Sequence, residues 1–461
     1  MLFSSPVFVF IFLPIVILIN LLLPIKLSNI WLLLVSLVFY AWGEPVYIIL
    51  LLISSLVNYF FAILIKKNDG KKSAKKAYLT LNIIFNLGLL GVFKYSNFVI
   101  DTVNSLLNTN IDLVDIALPI GISFYTFQTM SYVIDVYRNK VDVQKSYPKL
   151  LLYISFFPQL IAGPIVKYRD IEREIDNRTV DLNKMTQGME RFIIGLGKKM
   201  LISNTMAFVA DSIYALEAYQ VNSFVVLTGA ISYMLQIYFD FSGYSDMAIG
   251  LGKMFGFNFL ENFNYPYISQ SIQEFWRRWH ISLSSWFKEY VYIPLGGNRK
   301  GKFRTVLNKV TVFFLTGLWH GASWNFVVWG LFNGLFLLLE ELVLRLKKWP
   351  RFIRHIYTIT IVLISFIFFR ADTMAQALDF IGGLTNFSTM SPEVSGLMNT
   401  LINVKFIFIL ILAIIGSTPL VKRLLDRINI NIKFIFLIFV WILCLLNLSA
   451  ATYNPFIYFR F

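Results

Sequence analysis

The sequence carries too little charge for a water-soluble protein of its size. Only 15% of its 461 residues are Asp, Glu, Lys or Arg, whereas a soluble globular protein has about 25%. Hydrophobic residues make up 57% of the chain and include 45 phenylalanines. A surface of that composition needs an apolar solvent. The composition therefore excludes most soluble folds and indicates a protein embedded in a lipid bilayer.

Cysteine and histidine are also scarce, which limits the available chemistry. The single cysteine, Cys444, lies in an apolar run, so the chain alone can form no disulfide framework, redox pair or cysteine zinc site. The three histidines are His280, His320 and His355, and they lack the close spacing of zinc ligands. No P-loop, dinucleotide-binding motif or nucleophile elbow is present. We expect no metal, a reaction that depends on His280 or His320, and an ordinary interfacial role for His355.

Long apolar segments fill most of the chain and predict an all-α, polytopic membrane protein. Candidate spans lie near residues 6–25, 45–65, 77–93, 117–136, 150–166, 189–213, 223–252, 305–320, 323–345, 353–370, 405–421 and 432–450. Shorter apolar pieces near 30–42 and 95–107 are ambiguous. We expect roughly eleven to fourteen membrane helices in a single membrane domain over residues 1–461. Pro6–Leu23 is expected to be a retained first span rather than a signal peptide.

The net charge of +15 is distributed in a way that predicts topology. Lys66–Lys76 contains six lysines and one aspartate, and Asn298–Arg304 contains four cations, so the positive-inside rule assigns both loops to the cytoplasm. Asn108–Ile116 has two aspartates and no cation, and it is expected on the outer side. Because the cations occupy short loops and no nucleic-acid-binding motif is present, we expect no nucleic-acid partner.

The first histidine of interest lies in an aromatic and basic segment, Gln273–Tyr290. On one continuous helix, Trp279 and His280 would share an apolar face, and Arg277 and Arg278 would lie on the opposite side. One interpretation is an amphipathic anchor at the headgroup level, in which His280 is an interfacial residue. The alternative is a cytoplasmic entrance to a buried site, where the two guanidinium groups bind phosphates.

The second histidine, His320, lies at the junction of two apolar spans. Gly317 and Gly321 flank it at the G-x-x-x-G spacing, which predicts the close approach of another helix. Ionisable side chains at membrane depth are costly, and by default they line a cavity or pair inside the helix bundle. Two interpretations stay open: His320 hydrogen-bonds neighbouring helices, or it acts as a general base near neutral pH.

Polar or helix-breaking residues interrupt two other apolar segments. Asp240 and Asp246 lie within a long span, where we expect structural ion pairs with Arg277 or Arg278 as candidate partners. In Phe156–Ile165, two prolines and a glycine are expected to break a helix. Broken backbone at membrane depth is tolerated where it is buried in protein or borders a cavity. This segment is therefore interpreted as a cavity wall.

An ordered set of motifs covers nearly the whole chain. The motifs are Met1–Pro6, Ser155–Pro164, Phe239–Asp246, Glu274–Leu283, Tyr292–Gly297, Gly317–Trp324 and the aromatic tail Phe456–Phe461. Together they resemble the membrane-bound O-acyltransferase family, in particular its bacterial branch for O-acetylation of alginate and other polysaccharides. A single Trp-His-Gly would be a weak signal, but the ordered set is specific.

The resemblance implies a multi-helix fold around a central funnel or tunnel and acetyl-CoA as a donor that enters from the cytoplasm. The catalytic histidine of the family matches His320, and its second histidine matches His280. Asn325 is a candidate donor to the developing oxyanion. The full set of substrate-binding candidates is Arg277, Arg278, Trp279, Trp319, Asn325 and Asp240.

The expected function is therefore that of a membrane O-acetyltransferase in the bacterial plasma membrane. It would pass acetyl groups toward an extracellular polysaccharide, with a separate extracytoplasmic transferase as partner. Relatives that transfer D-alanine to teichoic acid from a carrier-protein thioester share the motifs more loosely and provide one alternative. A proton-coupled transporter or channel through His320, Asp240 and Asp246 is another, although no inverted repeat supports it.

Overall fold

The chain is built from helices. The computed structural model describes residues 1–450 and 453–457. Within these residues every regular element is an α-, π- or 3-10 helix, and no strand is present. The predicted all-α class is confirmed. Of the predicted aromatic tail, Tyr458–Phe461 lies outside the described residues.

The chain divides into two compact units. Unit 1 consists of Met1–Phe192 and Ser245–Leu260, and unit 2 consists of Ile193–Tyr244 and the chain from Glu261 onward. The chain passes between the units three times: within α10 (Leu182–Gly197), within α12 (Ser223–Met254), and at the Leu260–Glu261 bond in the loop after α12. The single domain over residues 1–461 stays a prediction.

Nine further helices belong to unit 1. They are α1 (Leu13–Leu22), α2 (Ile25–Gly43), α3 (Ile48–Lys67), α4 (Lys72–Leu90), α5 (Ser96–Leu107), α6 (Ile122–Tyr137), α7 (Tyr147–Ser155), α8 (Phe157–Leu160) and α9 (Tyr168–Asn177). A π-helical turn joins α4 to α5, and another precedes α1. Helix α6 is buried along nearly its whole length, so it forms the centre of this unit.

Unit 2 contains the remaining helices. They are α11 (Asn204–Tyr214), α13 (Ile272–Arg278), α14 (Ile281–Phe287), α15 (Lys302–His320), α16 (Trp324–Leu342), α17 (Arg351–Arg370), α18 (Met374–Gly383), α19 (Pro392–Leu401), α20 (Val404–Gly416), α21 (Leu420–Leu425) and α22 (Ile430–Ala450). Their buried apolar side chains form one large core that includes residues of α11, α12, α13 and α17.

Within residues 1–450 and 453–457, eight helical segments are long and apolar enough to cross a membrane. The multi-pass prediction is confirmed, although these segments are fewer than the roughly eleven to fourteen membrane helices expected. They are Ile25–Gly43, Ile48–Lys67, Lys72–Leu107, Leu182–Tyr214, Ser223–Met254, Trp324–Leu342, Arg351–Arg370 and Ile430–Ala450. The pair α19 and α20, bent by 61°, would be a ninth. The ambiguous piece near 30–42 lies within the span Ile25–Gly43, and the piece near 95–107 is the end of the 36-residue helical segment Lys72–Leu107. The segments near 117–136, 150–166 and 305–320 are helical but shorter, broken or less apolar.

Apolar side chains remain exposed where a soluble protein would place polar ones. In α22, Ile435, Ile438 and Phe439 are each more than half exposed. Such a surface is unfavourable in water and favourable in hydrocarbon. Helix α22 is thus suited to contact lipid along much of its length.

The expected break in Phe156–Ile165 is confirmed. Helix α7 ends at Ser155, α8 is a single turn, and the chain then continues without helix to the start of α9. Every residue of the break is buried, and the Phe157 N–H donates to Ser36 Oγ at 3.1 Å. Backbone at the break is thus hydrogen-bonded inside unit 1, as a membrane protein requires.

Helices α15 and α16 approach each other closely at glycine, as the G-x-x-x-G spacing predicts. A Cβ atom at Gly317 would lie 2.3 Å from the Phe326 carbonyl oxygen, and one at Gly330 would lie 2.3 Å from the Phe313 carbonyl oxygen. Both distances are far shorter than van der Waals contact. Only glycine fits at these two positions, and the close packing fixes the end of α15 that carries His320.

Candidate active site

His320 is the last residue of α15 and is buried in unit 2. The helix stops there because Gly321 is extended, with φ −165° and ψ 152°. The His320 ring lies edge-on to the rings of Trp319, Trp329 and Phe369, at centroid distances of 5.0, 5.0 and 5.2 Å. Only 6% of His320 is exposed. Its imidazole is therefore held among aromatic rings inside the protein.

The segment around His280 is not the continuous helix that the sequence predicts. Helix α13 ends at Arg278, α14 begins at Ile281, and His280 between them is left-handed, with φ 44° and ψ 56°. That conformation costs a residue with a Cβ atom roughly 1–2 kcal/mol, so tertiary contacts must hold it. Trp279 and His280 are only 3% and 1% exposed. The interpretation as an interfacial anchor is therefore wrong, because these side chains belong to the core of unit 2.

Asn262 fixes the ring of His280. The Asn262 Oδ1 atom lies 3.2 Å from His280 Nδ1, and it also accepts hydrogen bonds from the Ser282 N–H at 3.2 Å and hydroxyl at 2.9 Å. Because an amide oxygen can only accept, His280 Nδ1 carries the proton and Nε2 carries the lone pair. The Nε2 atom is buried and has no hydrogen-bond partner within residues 1–450 and 453–457.

Burial also determines the charge of His280. Removal from water lowers the pKa of His280 to about 3, because desolvation penalises the imidazolium form. The ring is consequently neutral near physiological pH. In this state His280 can accept a hydrogen bond through Nε2 but supplies no positive charge.

His320 lines a small cavity, and the buried His280 ring lies beside His320. Their ring centroids are 6.3 Å apart, and the cavity has a volume of about 10 Å³, measured for the centre of a water molecule. Its walls are formed by Ile237, Phe241, Trp279, His320, Trp329, Phe366, Phe369 and Ile457. The His280 ring packs edge-on against the Phe241 ring at 4.6 Å. A space of this size holds about one water molecule, so it suits a small group rather than a long chain.

The two arginines predicted to bind phosphate have different surroundings. Arg278 forms an ion pair with Glu274 at 2.9 Å and donates to the Asn264 carbonyl oxygen at 3.0 Å. Arg277 is exposed and makes no hydrogen bond or ion pair with any residue in the described part of the chain. Arg277 is thus the better placed of the two to meet an anionic ligand, because the Arg278 guanidinium already has partners.

Asp240 and Asp246 form ion pairs, as expected, but the predicted partners were wrong. Asp240 pairs with Lys199 at 2.7 Å within unit 2, and Asp246 pairs with Arg191 at 2.8 Å within unit 1. Both cations come from α10 or the π-helical turn that follows it. Asp240 Oδ2 also accepts the N–H of Ile457 at 2.8 Å. Substrate binding by Asp240 stays a prediction, since the chain itself already occupies this carboxylate.

The remaining candidates lie at varied distances from the cavity. Trp279 lines it, and the Trp319 ring lies 6.0 Å from the His280 ring. The buried Asn325 donates through Nδ2 to the Ala371 carbonyl oxygen at 2.8 Å, which leaves one N–H of that amide for another acceptor. His355 lies outside this cluster.

Sequence reasoning missed three residues that complete the site: Asn262, Lys199 and Ile457. Lys199 had a usable signal, because it is a cation inside a predicted span, as Asp240 is an anion inside another. Asn262 had none, since it lies in a loop 18 positions before His280. Ile457 reaches the cavity from the far end of the chain, which no local pattern indicates.

Within the described residues, no group of three or more His, Cys, Asp or Glu side chains could hold a metal ion. The candidate site therefore consists of two imidazoles, aromatic walls and one buried ion pair.

Together these features define a multi-pass helical membrane protein in which one buried histidine lines a small aromatic cavity and a second buried histidine lies beside it. The sequence profile of the membrane-bound O-acyltransferase family matches residues 140–373, a range that includes both histidines. The chain belongs to this family, and it is a membrane-embedded acyltransferase.

Curated relatives identify the branch of the family. The chain is 37% identical to the probable alginate O-acetylase AlgI of Pseudomonas putida, over 100% of both chains. It is 35% identical to the peptidoglycan O-acetyltransferase of Helicobacter pylori, over 85% of this chain and 81% of that one. Identity to the teichoic acid D-alanyltransferase of Streptococcus thermophilus is 29%, over 50% of this chain and 58% of that one. The predicted family and its polysaccharide O-acetyltransferase branch are confirmed.

Proposed function

We propose that this protein is an O-acetyltransferase that moves acetyl groups from cytoplasmic acetyl-CoA toward an extracytoplasmic polysaccharide. It would work in the plasma membrane of a bacterium, and a separate extracytoplasmic transferase would complete delivery. The observation that carries the proposal is that His320 lines a cavity with room for a small group and has a second buried imidazole, His280, beside it.

In the proposed reaction, His320 acts as general base. Its imidazole takes the proton of an acceptor hydroxyl as the hydroxyl oxygen attacks the thioester carbonyl carbon. The tetrahedral intermediate then collapses, the C–S bond breaks, and the proton held by His320 passes to the leaving thiolate. An ester and a free thiol result, so atoms and charge balance. Positioned acid–base catalysis of this kind contributes typically 10²–10⁴-fold.

His280 has a different proposed role, that of orienting the reacting groups. Its Nδ1–H is committed to Asn262, so Nε2 offers a lone pair inside the protein. That lone pair can accept a hydrogen bond from the acceptor hydroxyl or from His320. The aromatic walls exclude water, which protects the thioester from hydrolysis and strengthens electrostatic interactions in the site. Asn325 remains the proposed donor to the oxyanion.

The donor is proposed to leave its phosphates outside the apolar core. A polyanion such as CoA does not enter hydrocarbon, whereas its thioester arm is thin and uncharged. Arg277 is exposed and unpaired among the residues described, so its planar guanidinium can contact a phosphate. We propose that the donor enters from the cytoplasm, the side on which the positive-inside rule predicts the cationic loops.

The acceptor is proposed to be a polysaccharide because the relatives that match most of this chain are named for O-acetylation of alginate or peptidoglycan. D-alanyl transfer is the second candidate, based on the partial match to a teichoic acid D-alanyltransferase. A D-alanyl group carries an ammonium, and burial of that charge among aromatic and aliphatic walls is costly. The cavity therefore favours acetyl.

The test uses the full-length chain in proteoliposomes with radiolabelled acetyl-CoA and an oligosaccharide acceptor. His320→Ala should lower transfer by at least about 10²-fold while the variant keeps its thermal stability. His355→Ala is the matched control, because it removes a histidine whose Nδ1 atom lies 3.1 Å from the Ser269 carbonyl oxygen and which does not line the cavity. Full activity in His320→Ala would refute the catalytic assignment. D-alanyl transfer, or solute flux without covalent transfer, would refute the acetyl reaction.

A further inference from the structure

The last described residues of the chain, Tyr453–Ile457, form a segment that is fastened to the interior of unit 2. The Tyr453 hydroxyl donates to Asp211 of α11, and Asn204 Nδ2 donates to Asn454 Oδ1 at 3.3 Å. The Phe456 ring packs on the Tyr244 ring of α12 at 4.9 Å. We call these five residues the C-terminal strap.

A buried ion pair holds the end of the strap. Lys199 and Asp240 lie 2.7 Å apart, with side chains only 3% and 1% exposed. Lys199 Nζ donates to the carbonyl oxygen of Pro455, and Asp240 Oδ2 accepts the N–H of Ile457 at 2.8 Å. These two bonds use backbone atoms of the strap, so they fix the position of the main chain whatever side chains it carries.

This anchoring brings the Ile457 side chain to the catalytic cavity. Ile457 is 4% exposed and shares the cavity wall with His320, Trp279 and Trp329. The other apolar walls come from the helices α12, α13, α16 and α17 or their ends, and are held by the core of unit 2. Ile457 is thus the wall residue that the strap contributes.

We propose that Ile457 determines the length of the acyl group that the enzyme accepts. The inference rests on the proposed function, because it assigns the cavity beside His320 to the methyl group of the acetyl donor. The cavity of about 10 Å³ fits a group close to the size of one water molecule. Propionyl and butyryl groups add one and two methylenes, and each must displace a wall atom.

Truncation of Ile457 should relax this limit. Ile457→Ala removes three carbon atoms from the wall, and Ile457→Val removes one. Pockets that differ by a single methylene discriminate by about 10–200-fold. We therefore expect wild type to prefer acetyl over propionyl by at least about tenfold, Ile457→Val to lower this ratio slightly, and Ile457→Ala to bring it near unity and to admit butyryl.

The experiment measures kcat/KM with acetyl-, propionyl- and butyryl-CoA in proteoliposomes that contain the full-length chain. Ile213→Ala is the matched control, because it truncates an equally buried isoleucine of the same core that does not line the cavity. It should leave the chain-length ratios at their wild-type values. Ile457→Phe provides the opposite change, since it fills the cavity and should lower acetyl transfer most strongly.

The outcomes separate this inference from the proposed function. Wild-type acetyl transfer with the same chain-length ratios in Ile457→Ala, or an unimpaired Ile457→Phe, overturns the role of Ile457 alone. Loss of preference in Ile213→Ala to the same extent also overturns it, because the effect would then reflect general loosening of the core. Wild-type protein that transfers no acyl group from any CoA donor refutes the proposed function, and the inference with it.

Discussion

Loss of one partner of the Lys199–Asp240 ion pair should destabilise the protein about as much as loss of both partners. At 2.7 Å and an effective dielectric constant of about 20, the gross attraction is roughly 6 kcal/mol. The desolvation of each ion costs several kcal/mol and offsets most of that gain. The intact pair therefore contributes little to the free energy of unfolding, although each charge stays buried only because the other one compensates it.

Removal of one partner leaves a charge buried without compensation. Lys199→Met or Asp240→Leu alone should each destabilise the protein by about 3–5 kcal/mol. The double variant removes both charges but leaves the Ile457 N–H and the Pro455 carbonyl oxygen without partners. Two unsatisfied backbone groups cost about 1–3 kcal/mol each. The double variant should thus lose about 2–6 kcal/mol in total, which is close to the loss in either single variant and less than the roughly 6–10 kcal/mol that two independent single losses would give.

Cys444 provides a direct assay. It is the only cysteine in the sequence, and its side chain is fully buried in α22, so a thiol-reactive fluorophore reports its exposure as the protein unfolds on heating. The ion pair Lys309–Glu341 is a suitable control, because Glu341 is 42% exposed. Lys309→Met should cost less than about 1 kcal/mol. Additive losses in the double variant, or unchanged stability in both single variants, would refute the reasoning.

Three further predictions use other parts of the chain. The pKa of His280 is about 3 in the folded protein and about 6.5 in the unfolded chain. Between these two pH values the unfolded state binds more protons, so the free energy of unfolding should fall as the pH decreases below 6.5. His280→Asn should reduce this slope by up to about 1.4 kcal/mol per pH unit, measured by the thiol assay from pH 7.5 to 5, and an unchanged slope would contradict the assignment. Gly317→Leu should abolish the folded peak in size-exclusion chromatography, because the new Cβ atom would lie 2.3 Å from the Phe326 carbonyl oxygen. The control Gly88→Leu should fold, because the space around its Cβ position is open. Arg277→Gln should raise KM for acetyl-CoA severalfold but leave KM for a short acetyl thioester without phosphates unchanged, and equal effects on both donors would rule out phosphate binding.

Local patterns in the sequence predicted those features that depend on neighbouring residues. The G-x-x-x-G spacing around His320 required a close helix contact, and Gly317 makes one. The prolines in Phe156–Ile165 required a break, and α7 ends there. In both cases, the steric properties of one or two residue types determine the outcome, whatever lies elsewhere in the fold.

Helical periodicity failed at His280 because the decisive contact is not local. The spacing of Trp279 and its apolar neighbours is compatible with one continuous helix, and nothing in Gln273–Tyr290 forbids it. The hydrogen bond to Asn262, together with the packing of the imidazole against Phe241, stabilises the left-handed backbone that breaks the helix. A residue from another loop thus overrides the local preference.

Contacts between residues far apart in the sequence also explain why the partners predicted for Asp240 were wrong, and such contacts assemble the site. A carboxylate at membrane depth requires a cation, which the sequence predicted, but the choice among cations depends on which helices pack together. Lys199 pairs with Asp240 and also donates to the Pro455 carbonyl oxygen, so one buried cation satisfies both a carboxylate and a backbone acceptor. In consequence the C-terminal strap, rather than a helix, supplies the Ile457 wall of the cavity. If that wall limits the acyl group, then specificity resides in a segment without regular secondary structure, where a change of side chain leaves the buried backbone bonds intact.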